Sequence, residues 1–435
     1  MSPLTAARIQ MELSLGFHMI FAAIGVAMPL LMLIAEWRWI HRQDEDARRL
    51  AHVWAKLTAV TFAIGAVSGT ALSFELGLLW PRFMAFAGPL IGPAFALEGY
   101  AFFIEAIFLG LYLYGWERLA PRTHWWCGVA VAVSGAVSAV MVLAVNAWMQ
   151  HPVGFTLSPT GAPADVDAWA VFANPAWAPM AAHSTLSCYQ AVGFAAAANY
   201  AWTLWRQPAA GRYARLGLTI AMAVGTIAAI AQPLTGDLLA KRAHRQQPAK
   251  LAAAEALFET QRRAPLTIGG WPDVERRETR YGIEIPGLLS VLAGSDVDTE
   301  VLGLDRFPRD QWPNVAVAHV AFEIMVGAGV AMLGAALWYW LSWWRARGRH
   351  MPLPRWLPVA IVLCGPLGFL ALEAGWVVTE VGRQPWVIYG VMRTADAATP
   401  VGDVWASLAL FTTVYTGLLV LLVFFVRRLR RSEAA

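Results

Sequence analysis

Charged residues and cysteines are both scarce in this sequence. Asp, Glu, Lys and Arg make up only 14% of the chain, whereas 58% is hydrophobic and 22 residues are Trp. That composition excludes an ordinary soluble domain and is typical of a polytopic membrane protein. The three cysteines lie in apolar segments, and no Cys-x-x-Cys-His motif or cysteine cluster occurs. Covalent c-type haem, structural zinc and iron–sulfur clusters are therefore excluded.

Long apolar runs replace the missing charge. Runs long enough to cross a bilayer occur at roughly 13–37, 54–79, 94–116, 124–148, 180–205, 214–235, 315–344, 355–380 and 404–426. We therefore predict an all-α membrane protein with nine transmembrane helices. No cleavable signal peptide is expected, because the first run is too long for a signal h-region and lacks a basic leader.

The distribution of basic residues predicts the orientation. One set of loops and the C-terminal tail hold Arg38, Arg42, Arg48, Arg49, Arg118, Arg122, Arg206, Arg212, Arg215, Arg345, Arg347, Arg349, Arg355, Arg427, Arg428, Arg430 and Arg431. The short segments on the other side hold only Arg8, Arg82, Arg383 and Arg393. The positive-inside rule then places the N-terminus outside and the C-terminus in the cytoplasm. Since the basic residues flank spans, the formal net charge of +4 requires no nucleic-acid partner.

The chain divides into three parts on this scheme. Residues 1–235 form the first six helices, 236–314 a long outer loop, and 315–435 the last three helices. The loop is polar and far longer than a connection requires, and without an obvious pattern of strands or helices throughout it is expected to be functional or mobile.

Four side chains that can bind iron fall at one predicted depth, in the outer part of the bundle: His18, His183, Met325 and Glu380. Imidazole and thioether groups are axial ligands of haem iron. A carboxylate near the end of a span needs a metal, a cation or a proton as partner. A single histidine in a membrane is more often a hydrogen-bonded core residue, so the prediction depends on the coincidence of all four.

Two acids in the third span share one helical stripe. Glu98 and Glu105 are seven residues apart, which is about two turns or roughly 10 Å. This spacing fits a proton relay, and Ser138 and Asn146 on the next helix could extend such a path towards the cytoplasm. Helix-to-helix hydrogen bonds are the simpler explanation of the same acids.

Several short segments resemble subunit I of the cytochrome bd-type quinol oxidases, in the order expected for that family. They are Leu-Gly-Phe-His18, Glu98-Gly-Tyr-Ala-Phe-Phe-Ile-Glu105, Ala-Val-Asn146-Ala-Trp-Met-Gln150-His-Pro152, Asn174-Pro with His183 following, Lys250-Leu-Ala-Ala-Ala-Glu255-Ala, Ile-Met325-Val-Gly and Glu373-Ala-Gly-Trp376-Val-Val-Thr-Glu380-Val-Gly-Arg-Gln-Pro-Trp386. Each segment alone is a weak signal, but the ordered set covers nearly the whole chain.

The resemblance implies three haems. His183 and Met325 correspond to the axial pair of low-spin haem b. His18 and Glu380 correspond to ligands of two high-spin haems, one of type b and the other haem d or a second haem b. Trp376 would then lie between the haems.

The resemblance also implies a reaction. Arg383 would lie near the haem propionates, and Lys250 and Glu255 match positions used to oxidise quinol at the outer face. A solvated helix face at 252–258 would explain these two charges almost as well. The family reduces O2 to water and generates a proton motive force without pumping.

Partners and subgroup follow from the same resemblance. The family pairs this subunit with a second large membrane subunit, in many cases with a small single-span subunit, in the bacterial cell membrane. The short outer loop places the chain in the subgroup that includes cyanide-insensitive oxidases.

One position departs from the better-known members, which carry Arg where this chain has Glu323. Glu323 lies four residues after His319 on the same helical face. We predict a structural Glu323–His319 pair.

Two other functions remain compatible with the residues alone. One is a proton-coupled transporter that uses Glu98, Glu105 and His18 as a relay. The other is a membrane b-type cytochrome without oxygen chemistry. A haem–copper oxidase is disfavoured because the spans hold too few histidines for its haem ligands and copper site.

Overall fold

The computed structural model of the chain describes residues 2–207, 211–346, 353–400 and 404–434. Arg347 and Arg349, which were counted for the orientation, lie outside these residues. The helices are α1 Pro3–Arg42, α2 Glu45–Leu79, α3 Pro81–Tyr114, α4 Pro121–Gln150, α5 Trp177–Arg206, α6 Gly211–Gln246, α7 Pro248–Ala254, α8 Leu288–Gly294, α9 Val315–Arg345, α10 Leu357–Val381, α11 Thr394–Ala397 and α12 Val404–Ala434.

The apolar runs fold as helices because a helix pairs all its backbone groups internally, which a bilayer core without water demands. Among the described residues, eight of the long helices are long and apolar enough to cross a membrane. The predicted fifth span is present as the 30-residue helix α5 but is not one of those eight. Its polar side chains, which include Ser184, Ser187 and Gln190, lower its hydropathy.

Helix α10 is central in the bundle. It packs against α5 on one side and α9 on the other, while α1 packs against α2 and α3 against α4. A large core lies between α1, α2, α5, α6, α9 and α10, and its buried members include Leu31, Phe194, Met222, Met332 and Ile361.

The strands are short and pair in antiparallel twos. Their bounds are β1 Thr156–Leu157, β2 Pro163–Ala164, β3 Gln261–Arg262, β4 Leu266–Ile268, β5 Trp271–Asp273, β6 Glu278–Arg280, β7 Ile283–Ile285, β8 Glu300–Val301, β9 Trp386–Ile388 and β10 Met392–Arg393. The pairs are β1–β2, β3–β8, β4–β7, β5–β6 and β9–β10.

The segment between α6 and α9 is more ordered than the sequence predicted. Helix α6 continues to Gln246, and α7, α8 and three of the strand pairs follow it. A small hydrophobic core of its own holds Leu257, Phe258, Leu289 and Leu304. The sequence showed no obvious pattern for these strands and short helices, although they make up much of the segment. We call residues 247–314 the outer segment.

Candidate functional site

Contacts with helix α10 give the level of each predicted ligand along the bundle. Gly16 lies against the Glu373 carboxylate, and Leu15, Met19, Leu372 and Trp376 pack in one cluster. The antiparallel register that these contacts define places His18 about level with Glu373.

Contacts with α10 also give the levels of the other predicted ligands. Gly375 lies against Met325, because a Cβ there would be 3.1 Å from the Met325 sulfur. Gly368 packs against Ala191 of α5, eight residues from His183, so the antiparallel register puts His183 about level with Trp376. Glu380 follows one turn later on α10. His183 and Met325 thus lie at one level of α10, with His18 about one turn to one side and Glu380 about one turn to the other. We call this part of the bundle the ligand end.

His18 is held by α2 in a defined tautomer. Its Nδ1 lies 3.0 Å from Ser68 Oγ, and that hydroxyl donates to Gly65 O at 3.1 Å. Because the Ser68 proton is committed to Gly65, Ser68 Oγ accepts from His18 Nδ1–H. The lone pair of His18 is therefore on Nε2, as a metal-ligating histidine requires.

His183 is held in the same way by α6. Its Nδ1 lies 3.0 Å from Thr235 Oγ1, which donates to Gln232 O at 3.0 Å. The Nε2 atom again carries the lone pair, and the Gln232 amide approaches it at 3.4 Å. Gln232 Oε1 is buried without a hydrogen-bond partner among the described residues.

Glu380 is bound by two neighbours. Asn146 Nδ2 donates to its Oε1 at 2.8 Å, and Arg383 Nη2 donates to its Oε2. This contact corrects our interpretation of Asn146: it lies at the ligand end and cannot extend a path towards the opposite end. The error arose because helix α4 rises towards the ligand end, which places residue 146 beyond Ser138 in that direction.

Arg383 is only 2% exposed, yet its Nη1 atom has no hydrogen-bond partner in the described part of the chain. A buried guanidinium with an unused donor is the feature that an anionic group such as a haem propionate would complete.

Trp376 packs against the small cluster of Met19, Ala23 and Leu372, which also contacts Leu15 of α1 and Cys188 of α5. Residues of the His18 helix and of the His183 helix thus share one cluster with Trp376.

The acidic pair lies in the seam between α3 and α4. Ser138 is within hydrogen-bond reach of Glu98. Glu105 is buried against Gly135, where a Cβ would lie 3.2 Å from its carboxylate, and Gly25 of α1 lies on its other side.

Lys250 and Glu255 face different surroundings. Lys250 Nζ donates to Gln150 Oε1 and to Thr379 O, both at 3.1 Å. Withdrawal from water and the charge of Arg383 lower the pKa of Lys250 to about 7, although Glu380 opposes them. Since Lys250 and Glu255 are five residues apart, they project about 140° apart around the helix. The predicted arrangement of a cation beside the carboxylate is therefore not what the structure shows.

Glu255 is 6% exposed and faces Glu323 instead. Burial, and then the charge of Glu323, raise the pKa of Glu255 to about 8. Its Oε2 has no hydrogen-bond partner within the described residues. The explanation of these charges as a solvated helix face is wrong, and helix α7 ends at Ala254 rather than continuing to Phe258. Ala256 follows with a φ of 50°, which the helix cannot accommodate.

His319 and Glu323 both bind Gly269 of the outer segment. His319 contacts Ala254 O at 2.8 Å and Gly269 O at 3.1 Å, while Glu323 Oε2 accepts from Gly269 N at 2.8 Å. The predicted pair is thus replaced by two parallel contacts, because both side chains reach the same backbone unit above α9. Their role is to hold the turn between β4 and β5 against the bundle.

The donor set fits haem iron. Two imidazoles present unprotonated Nε2 atoms, a thioether and a carboxylate lie at the same end of the bundle, and a buried guanidinium has an unused donor. The sequence did not single out Ser68, Thr235 and Gln232, which orient the histidines. Hydroxyl and amide side chains in apolar helices were the available signal.

Comparisons with known proteins agree with this geometry. The family described as "Cytochrome bd terminal oxidase subunit I" matches residues 6–434. A Bacillus subtilis (strain 168) protein named, provisionally, as a cytochrome bd menaquinol oxidase subunit I is 37% identical over 418 residues, with 95% of this chain and 94% of that protein covered. Cytochrome bd ubiquinol oxidase subunit 1 of the same organism is 31% identical, with 99% and 94% covered.

A solved structure is similar along the full length. It is the bd oxidase from Geobacillus thermodenitrificans, with a TM-score of 0.92, 38% sequence identity and 99% of each chain covered. The chain belongs to the cytochrome bd terminal oxidase subunit I family.

Proposed function

We propose that this chain holds the haems and the quinol-oxidising site of a bacterial terminal oxidase that reduces O2 to water. The observation that carries the proposal is the pair of oriented histidines, His18 and His183, at the ligand end of the bundle together with Met325 and Glu380. Haem bound there would supply electron transfer and oxygen reduction. Side chains of this chain would bind the haems and quinol and would transfer the protons.

The ligand roles are those that the resemblance to the family implies, and the orientation of the two histidines supports them. His183 and Met325 would hold low-spin haem b, which would supply electron transfer. His18 and Glu380 would each hold a high-spin haem, of which one is type b and the other is haem d or a second haem b. Trp376 would separate the sites, and Arg383 would bind propionate.

Quinol oxidation is assigned to the outer segment. Glu255 is buried and has an unused oxygen, and its pKa of about 8 suits a group that accepts a proton near neutral pH. Lys250 would bridge this site to the ligand end through Gln150 and Thr379. The outer segment would thus be a functional part of its own, between the six helices before it and the three after it.

Protons for oxygen reduction would pass through the α3–α4 seam. Glu105 and Glu98, with Ser138, would receive them, while Asn146 would position Glu380. Release of quinol protons outside and uptake from the cytoplasm would generate a proton motive force without a pump. This scheme takes nine spans, with the N-terminus outside and the C-terminus in the cytoplasm of a bacterial plasma membrane.

A second large membrane subunit is the expected partner, with a small single-span subunit in addition. The long helices with few buried residues support this, since only 6% of the apolar window of α12 and 22% of those of α2 and α3 are buried within the chain. These surfaces would contact lipid or a partner subunit.

Reduced-minus-oxidised spectra of the purified complex, with and without carbon monoxide, test the proposal. We expect a low-spin b-type band and a separate high-spin component that binds carbon monoxide. Absence of haem bands would favour the proton-coupled transporter. Haem bands without carbon monoxide binding would favour a cytochrome that does not reduce oxygen.

A further inference from the structure

A buried acid–base pair lies at the end of the bundle opposite Glu380. Glu36 of α1 is 0% exposed and His124 of α4 is 1% exposed. His124 Nδ1 lies 2.6 Å from Glu36 Oε1, and His124 Nε2 lies 2.8 Å from the backbone oxygen of Tyr112. The pair thus joins α1, α3 and α4 near the C-terminal ends of α1 and α3 and the N-terminal end of α4.

The contacts fix how many protons the pair holds. A backbone carbonyl only accepts, so His124 Nε2 must carry a hydrogen. The short contact to Glu36 then needs one more proton, on either His124 Nδ1 or Glu36 Oε1. Glu36 Oε2 and the Tyr112 hydroxyl are buried without hydrogen-bond partners among the described residues. They lie close enough to each other to interact.

The Glu36–His124 pair lies at one end of the α3–α4 seam that holds Glu98 and Glu105. Glu98, Glu105 and Tyr112 follow at intervals of seven on α3, so they share one stripe and are spaced by about 10 Å. On α4, Gly128 and Gly135 repeat at the same interval. A Cβ on Gly128 would lie 2.8 Å from the Tyr112 ring, and one on Gly135 would lie 3.2 Å from the Glu105 carboxylate.

The pair is also connected to the surface at its own end. The ring of Trp116 lies 4.2 Å from that of His124 and 3.7 Å from that of His52, which is half-buried. The turn that covers the pair holds the exposed residues Glu117 and Arg118. The arginine distribution predicts that this end faces the cytoplasm.

A purely structural role explains this arrangement poorly. A buried ion pair adds little stability over apolar residues of the same size, and an unused buried oxygen is a further cost. A carboxylate, an imidazole and a hydroxyl side by side can instead pass a proton from one to the next along hydrogen bonds.

We propose that Glu36, His124 and Tyr112 form the entry at which cytoplasmic protons enter the α3–α4 seam and pass to Glu105. The inference rests on the proposed function and orientation. A proton taken up by the pair leaves from Glu36 through the Tyr112 hydroxyl and bridging water, and a second proton from the inner face restores the pair. Nothing is oxidised or reduced in this step.

The test uses the complete oxidase in proteoliposomes, with variants Glu36→Gln and Tyr112→Phe and the control Glu117→Gln. Oxygen consumption per haem is measured with a quinol donor in H2O and in D2O. We expect Glu36→Gln to lower turnover about tenfold and to increase the solvent isotope effect, with native haem spectra and carbon monoxide binding. Tyr112→Phe should shift both in the same direction, and Glu117→Gln should change neither.

The Tyr112→Phe variant decides the matter if Glu36→Gln does not assemble, because it removes only the hydroxyl beside Glu36 and keeps the ring that packs against Gly128. Native turnover and a native isotope effect in Tyr112→Phe, or in an assembled Glu36→Gln, would overturn the inference. Failure of the proposed function is distinct, since the wild-type complex would then lack haem bands or oxygen consumption.

Discussion

The sites of His18 and His183 are alike in the contact that Nδ1 makes, but they differ in the other predicted iron ligands. In both, Nδ1 donates to a hydroxyl of the neighbouring helix, Ser68 for His18 and Thr235 for His183. Beyond the ring, Met325 lies at the level of His183, whereas the carboxylate among the predicted ligands, Glu380, is bound by Asn146 and Arg383.

On the proposed function, this difference corresponds to two roles. His183 and Met325 would hold a haem for electron transfer. Glu380, which also binds Asn146 and Arg383, would belong to a high-spin site at which oxygen is reduced. The predictions below break or sharpen this comparison.

Among the predicted changes, replacement of His183 by Ala should have the largest effect. We expect loss of the low-spin haem b band, because the variant lacks the imidazole that is proposed to bind this haem. Carbon monoxide binding should remain largely intact. Reduced-minus-oxidised spectra of the purified complex measure both, and a retained low-spin band would refute the ligand assignment.

The mirror-image change is His18→Ala. Here the high-spin signal and carbon monoxide binding should fall while the low-spin band remains, because His18 lies on a different pair of helices from His183. The same spectra serve as the measurement. Loss of both signals together would mean that the two sites are not independent.

A smaller effect is expected where quinol delivers its protons. Glu255→Gln keeps the shape of the side chain but cannot accept a proton, so quinol-driven turnover should fall about a hundredfold. Turnover driven by a small artificial reductant should persist, since it bypasses the outer segment.

The pH profile sharpens this prediction. A proton acceptor works in its deprotonated form, and burial raises the pKa of Glu255 to about 8. Quinol oxidation by the wild-type enzyme should therefore increase as the pH rises through about 8. The Gln variant should lack this rise, and a flat wild-type profile would argue against Glu255 as the acceptor.

Sequence reasoning succeeded where the signal is local. Hydropathy located the long helices, since it depends only on neighbouring residues. The angle between Lys250 and Glu255 was also readable, because five residues on a helix project to different faces. Their separate surroundings could have been predicted from that angle.

Contacts between residues far apart in the chain could not be predicted from the sequence. Asn146 meets Glu380, 234 positions away, only because α4 and α10 present particular faces to each other. Likewise, the backbone of Gly269 reaches His319 and Glu323 from the outer segment, whose strands the sequence did not reveal. Helix rotation and loop conformation decide both, and neither leaves a periodic pattern.

Two glycines provide the finest test of the comparison. A Cβ on Gly69 would lie 2.8 Å from His18 Cε1, whereas one on Gly236 would lie 3.5 Å from His183 Cε1. The first distance forces the ring to move and the second is an ordinary contact. Gly69→Ala should therefore weaken carbon monoxide binding at the high-spin site, while Gly236→Ala leaves the low-spin band unchanged.

The stability of the two variants should diverge as well. Ala is favoured over Gly inside a helix by about 0.5–1 kcal/mol, so Gly236→Ala should raise the free energy of unfolding by about that amount. In Gly69→Ala the same gain is offset by displacement of a ring that Ser68 holds in place. Thermal unfolding of the purified complex, followed by haem absorbance, compares the two. Equal behaviour of the variants would mean that the two histidine sites are packed with the same tolerance, contrary to the distances at their glycines.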